Sequence, residues 1–174
     1  MHKTSLFLIG PMGTGKTTIG RQLARRLKMD FYDSDRVIEE RTGVDIPLIF
    51  EKEGEAGFRQ REQAVIDELT QKQKIILATG GGAVLAATNR QHLKNRGTVI
   101  YLKSTLNTLI KRTRKDKNRP LLHAGEPAEV ILRRLLEQRD PLYQQTADIV
   151  IKTVNNSIHN VIHAIINHLD NPQR

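Results

Sequence analysis

"GPMGTGKT", Gly10 to Thr17, stands between the apolar run "LFLIG" (6–10) and "TIGRQLARRL" (18–27), which reads as a helix. The first N–H groups of a helix have no partners within it, and its aligned peptide dipoles place partial positive charge there. A phosphate fits that demand. Gly10, Gly13 and Gly15 tolerate backbone angles closed to other residues, so this turn can curl its amides around phosphate oxygens. The pattern is G-x(4)-G-K-[ST], in which Lys16 reaches the outer phosphates and the Thr17 hydroxyl ligates Mg²⁺. The strand before it and the helix after it supply the context such a loop requires. The competing reading is a purely structural glycine-rich turn.

Outward from this loop, short β-rich runs alternate with helical patterns. "LFLIG" precedes a helix over 16–28, and "FYDSD" (31–35) precedes one over 34–42 and a longer amphipathic stretch near 55–72. "IILATG" precedes 88–95, "TVIYL" precedes 104–114, and "DIVIK" precedes 157–169. Strands separated by helices imply parallel pairing with right-handed crossovers, so the fold expected is α/β, a doubly wound, five-stranded parallel sheet with helices on both faces. Ligands of such sheets sit at the carboxyl ends of the strands.

Those ends are unusual here. In "DSD", strand alternation puts Asp33 and Asp35 on one side, beside the phosphate loop; alternatively both residues belong to a helix start, where Asp is a favoured cap. The third strand runs into "ATGGG" (78–82) instead of the acidic residue that usually steadies Mg²⁺ in nucleotide enzymes, which leaves Asp33 as the candidate carboxylate by topology. Gly80, Gly81 and Gly82 leave room for a substrate against bare backbone, or form a flexible turn. Arg59 and Glu62 are three apart, positioned to pair on one helix face. The stretch 113–127 is charged and broken by proline and glycine, the composition of a mobile flap or of an ordinary surface loop. "EQRDPLYQ" places Arg139 just before an Asp-Pro break.

Composition narrows the class. A chain of 174 residues suits one compact domain. The absence of cysteine excludes disulfides and thiolate chemistry and fits a reducing cytosol. No apolar stretch approaches the ~20 residues that span a bilayer. The N-terminal apolar run leads straight into the phosphate loop, so its removal as a leader would destroy the site; a cytoplasmic protein without membrane contact is expected. The 28 Lys and Arg against 19 Asp and Glu give a formal charge of +9, which suits small anionic ligands or nucleic acid. Aromatics are only 4 %, and no RNA-binding aromatic motif accompanies the basic runs 21–28 and 111–119, so no nucleic-acid partner is expected. His159 and His163 are four apart on a helix but lack the glutamate of H-E-x-x-H; a buried stripe of Ile158, Val161, Ile162, Ile165, Ile166 and Leu169 is expected beside them.

Taken in order, "GPMGTGKTTIG", "FYDSD", "FRQRE", "ATGGG", "NRPLL" and "RDPLY" closely resemble the shikimate kinase family over about residues 5 to 152. A nucleoside monophosphate kinase shares the phosphate loop but not this combination. The resemblance implies a P-loop fold of the nucleoside-monophosphate-kinase type. It implies transfer of the ATP γ-phosphate to the 3-hydroxyl of shikimate, with ATP and Mg²⁺ as cofactors and a monomeric enzyme of one domain, 1–174. Within that domain it implies a substrate-binding segment near 34–61 and a lid near 113–125. By the same resemblance Gly13, Thr14, Gly15, Lys16, Thr17 and Thr18 hold ATP, Arg112 stacks on adenine, and Arg119 closes over the phosphates. Arg59 and Arg139, helped by Gly81, hold the substrate carboxylate. Asp35 accepts a hydrogen bond from the ring hydroxyls as base or orienter. Asp33 holds Mg²⁺ through water and Thr17 binds it directly. Lys16, Asp35 and Arg119 are thus the expected catalytic residues.

Overall fold

The computed structural model describes residues 4–114 and 125–172. Arg119 and the segment 115–124 of the expected lid lie outside the described residues. Five strands, β1 (Leu6–Ile9), β2 (Asp30–Asp33), β3 (Ile75–Ala78), β4 (Thr98–Lys103) and β5 (Ile149–Lys152), form one sheet in the order β2-β3-β1-β4-β5. Every pairing is parallel, with Phe7 opposite Leu77 on one side and Val99 on the other. The helices between them are α1 (Lys16–Leu27), α2 (Ser34–Thr42), α3 (Ile46–Thr70), α4 (Ala87–Arg96), α5 (Leu106–Thr113), α6 (Ala128–Thr146) and α7 (Ile158–Asp170). A single 3₁₀ turn, Ala83–Leu85, precedes α4.

β1 is buried on both faces, which is why its sequence is continuously apolar and does not alternate. Phe7 and Ile9 point into a core shared with Ile38, Phe58, Leu69, Leu93 and Tyr143. Leu6 and Leu8 point the other way, into a core with Ile19, Leu23, Val161 and Ile165 of α1 and α7. The connection leaving β1 crosses to the β2 edge while the one leaving β3 crosses to β4. The crevice of this doubly wound sheet therefore opens at the carboxyl ends of the adjacent strands β1 and β3.

Three expectations from sequence are corrected and one open alternative is decided. First, α3 starts at Ile46, not near 55: the Asp45 side chain accepts from the Leu48 N–H at 3.0 Å and Pro47 occupies the first turn. This helix is broken at Gly54, whose φ of 71° and ψ of −179° lie outside the helical range. Second, 128–146 is a helix that the pattern did not disclose, and it runs straight through Pro141. A proline inside a helix costs about 3 kcal/mol. Burial of Tyr143 and a 2.6 Å bond from the Tyr101 hydroxyl to Asp140 hold the helix on either side of it. Third, the alternative left open at "DSD" is decided: β2 ends at Asp33, and Asp35 lies in the first turn of α2, the helix start. Fourth, Ile158, expected in the buried stripe of α7, is 39 % exposed at the first position of that helix, while Val161, Ile162 and Ile165 are buried.

Candidate active site

The loop after β1 is set by its glycines. Gly13 (φ 83°) and Gly15 (φ 87°) are in the left-handed region, where a side chain is strained. Gly15 is the cap residue just before α1 and offers no side-chain cap, so the first amides of α1 have no side-chain partner there. The buried Thr14 hydroxyl donates to the Pro11 carbonyl at 3.0 Å, fixing the loop from inside. Lys16 is the first residue of α1 and is also buried; its Nζ donates to the carbonyls of Gly10 at 2.7 Å and Pro11 at 2.8 Å. One turn of a buried lysine thus ties the loop together at the spot where phosphate oxygens would compete for it.

Thr17 and Asp33 meet. The Thr17 hydroxyl donates to Asp33 Oδ2 at 2.5 Å, joining the start of α1 to the end of β2. Asp33 Oδ1 also caps α2, accepting from the backbone N–H of Asp35 at 3.0 Å and of Arg36 at 3.3 Å. The capping role thus falls to Asp33, not Asp35. A hydroxyl and a carboxylate beside a phosphate-binding loop form a hard oxygen donor set, which fits Mg²⁺.

Both aspartates line a cavity of about 590 Å³ with Gly13, Gly15, Lys16, Thr17, Thr18, Gly80 and Gly81. Its far wall comes from Arg36, Glu39, Ile46 and Pro47, residues the sequence reading did not single out. Glu39 joins them by accepting from the Ile46 N–H at 3.1 Å, which ties α2 to the start of α3. The helical spacing of Asp35, Arg36 and Glu39 was the available signal, but nothing local marks which face of α2 turns inward. On the other side of the loop a recess of about 230 Å³ lies between Gly15, Thr18 and the segment Thr153–Ile158. Arg112 lines it and donates to the Gly13 carbonyl at 3.2 Å.

Charged neighbours crowd two of the three glycines after β3. None of the three has positive φ; Gly80 and Gly82 are approached too closely to carry a side chain, and Gly81 is tight only against the Met12 N, at 3.3 Å. A Cβ on Gly80 would stand 2.7 Å from Asp35 Oδ1 and 3.0 Å from Glu62 Oε2. On Gly82 it would meet the Arg59 guanidinium at 2.3 to 2.6 Å, and on Gly81 it would lie 3.6 Å from Arg139 Nη1. The space the sequence suggested for a substrate is partly filled by the protein's own ionic groups. The Ser34 hydroxyl, fully buried, accepts from the Gly80 N–H at 3.1 Å and fixes the run against α2.

Arg59 and Arg139 stand against this glycine run rather than in the wall of the main cavity. Arg59 donates to Glu62 Oε1 at 2.9 Å and to Glu55 at 3.2 Å, and its guanidinium lies 5.1 Å from the Phe58 ring centre. Burial works against its charge, but Glu62 and Glu55 outweigh it and hold Arg59 more firmly protonated than usual. Glu62 is 1 % exposed. Burial pushes its carboxyl up, and Arg59 and then Arg139 pull the other way. Arg139 is itself 4 % exposed. So the pair expected at i, i+3 exists, and it belongs to a buried cluster of two arginines around one glutamate.

The family model for shikimate kinase matches residues 12–170. A shikimate kinase of Methylococcus capsulatus is 55 % identical over 166 residues, covering 95 % of this chain and 92 % of that protein. Shikimate kinase 1 of Escherichia coli K12 is 51 % identical over 169 residues, 97 % of this chain and 98 % of its own. Among solved structures, shikimate kinase from Acinetobacter baumannii in complex with shikimate superposes with a TM-score of 0.94 at 47 % identity, covering 98 % of this chain and 94 % of that one. A family model over most of the chain and relatives of about half identity over nearly its full length agree: the chain belongs to the shikimate kinase family.

Proposed function

We propose that this protein transfers the γ-phosphoryl group of ATP to the 3-hydroxyl of shikimate, giving shikimate 3-phosphate and ADP. The observation that carries the reading is the juxtaposition at Gly80–Gly82. There Asp35, Arg59 and Arg139 converge from three helices at the edge of the phosphate-loop cavity. A substrate with one carboxylate and several hydroxyls needs cationic forks and a hydroxyl acceptor in that proximity. The shikimate complex of the Acinetobacter baumannii relative supports the same substrate.

In this reading the amides of Gly13, Gly15 and the start of α1 cradle the phosphates, with Thr14 and Thr18 beside them. Lys16 exchanges its loop carbonyls for phosphate oxygens and stabilises the charge that develops in transfer. Thr17 and, through water, Asp33 would hold Mg²⁺, which when bound would neutralise the phosphates. Asp35 accepts the hydrogen bond of the attacking hydroxyl and takes or orients its proton. Arg59, Arg139 and the Gly81 N–H hold the carboxylate. Arg112 lies over the recess suited to the adenine ring, and Arg119 closes over the phosphates. Transfer depends on this positioning and asks no nucleophile of the protein. The chain acts as one domain, with segment 34–61 as its substrate-binding part and 113–125 as its lid, in the cytoplasm and as a monomer.

A coupled assay of ADP release over a panel of shikimate, quinate, gluconate and nucleoside monophosphates tests the proposal. Release that requires shikimate is expected; faster release with a nucleoside monophosphate would replace the reading.

A further inference from the structure

We propose that Tyr143 is a positioning residue for substrate binding, a buried phenol that locks the Gly81 peptide and the Arg139 guanidinium into one carboxylate-binding unit. The inference rests on the assignment of Gly81 and Arg139 to the shikimate carboxylate. Tyr143 lies one helical turn after Arg139 on α6, so both side chains leave the same face of the helix. Its hydroxyl donates to the Gly81 carbonyl at 2.6 Å, across 62 residues of chain, and the Arg139 guanidinium is close enough to act on its charge. One phenol thus bonds to Gly81 and lines a recess with Arg139, whose Nη1 would lie 3.6 Å from a Cβ on Gly81.

The geometry has a chemical consequence. A hydrogen bond to the Gly81 carbonyl anchors the Gly81–Gly82 peptide plane, and so restrains the carboxyl side of the residue whose N–H is assigned to the carboxylate. Tyr143 is fully buried, and burial pushes its phenol up in pKa, so the hydroxyl keeps its proton and remains a donor at all pH values of interest. The ring is itself held: it packs on Tyr101 with centroids 4.9 Å apart, and the Tyr101 hydroxyl donates to Asp140 at 2.6 Å. This second phenol sits in the same ring pair yet does not bond to Gly81, which makes it the natural control. Arg139 Nε has no hydrogen-bond partner among the described residues, so the Tyr143 oxygen is one of few restraints on where that guanidinium points.

The test compares Tyr143→Phe with Tyr101→Phe, each removing one hydroxyl from a buried ring while keeping the packing. For Tyr143→Phe, shikimate KM should rise about five- to thirtyfold, the loss of one hydrogen bond that leaves buried groups unpaired. Its ATP KM and kcat should stay within about twofold, because neither the phosphate loop nor the acceptor is touched. Tyr101→Phe should lower the melting temperature by a comparable amount without moving shikimate KM. A shikimate KM within twofold of wild type in folded Tyr143→Phe overturns the inference alone. So does an equal rise in both variants, which marks a purely structural effect. If Tyr143→Phe does not fold, shikimate titration of Tyr143→Leu and Tyr143→Met, neither of which can donate, decides: wild-type affinity in a folded variant overturns the inference, and weakened affinity with normal ATP binding sustains it. A wild-type protein with no shikimate-dependent ADP release overturns the kinase reading, and this inference with it.

Discussion

Asp33 and Asp35 are two residues apart and have different work. Asp33 caps α2 and accepts from Thr17, while Asp35 lines the cavity and reaches Gly80. Asn caps nearly as well as Asp, so Asp33→Asn should fold normally but need more Mg²⁺ for half-maximal rate. Asp35→Asn removes the charge that takes or orients the proton; turnover should fall by about 10²-fold or more, with the melting temperature nearly unchanged. Full activity in Asp35→Asn would leave the acceptor unidentified. Glu62 supplies the pH dependence. The charged groups facing it are Arg59, Arg139 and Glu55, with Asp35 across Gly80, and burial pushes its carboxyl above the ordinary 4.5. A raised value in the folded state means the fold favours the protonated form. The stabilising contribution is then complete below 4.5 and is lost as pH rises through the raised value. Relative to Glu62→Gln, wild-type melting temperature should therefore drop as pH rises. Binding runs the other way: protonation ends the charged hold on Arg59, so wild-type shikimate KM should climb as pH falls through that value, and Glu62→Gln should lack the inflection. An identical pH profile in the variant would remove Glu62 from substrate binding.

Between residues stand the elements, and here the sequence was legible wherever the chemistry is local. A phosphate asks for glycines, a lysine and a hydroxyl within eight residues, so Gly10 to Thr17 could be read directly. The Asp45-Ile46-Pro47 start of α3 and the helix over 128–146 were not, the second because Pro141 reads as a break while its cost is outweighed by burial of Tyr143 against a core that includes Tyr101, distant in sequence. The glycine run shows the same limit. Three glycines announce close approach, but only the fold reveals that Asp35, Glu62, Arg59 and Arg139 are what approach. Gly82→Ala tests this. Its Cβ would strike the Arg59 guanidinium, the mobile end of a long side chain, which can move aside without unfolding the protein. Expected are a near-normal melting temperature and a shikimate KM raised several-fold, with ATP KM unchanged. Equal kinetics in Gly82→Ala would mean that Arg59 does not hold the substrate.

At the scale of the whole molecule, two cores on opposite faces of one sheet leave its carboxyl edge free for ligands. The strand order places the ends of β1 and β3 side by side there. The phosphate loop comes from β1 and the glycine run from β3, so donor and acceptor sites are neighbours because the strands are. The net charge of +9 favours two anionic ligands at that edge. Charge by itself left nucleic acid as a formal alternative; the ordered motifs and the family matches decide for a small-molecule kinase. The most direct measurement is of the product. Purified protein is incubated with ATP, Mg²⁺ and shikimate, and the mixture is followed by ³¹P and ¹H NMR. The account predicts one new phosphate monoester, coupled to the proton on carbon 3 of shikimate, appearing in step with ADP. Formation of ADP and inorganic phosphate with no ester, or an ester on another hydroxyl, would contradict it.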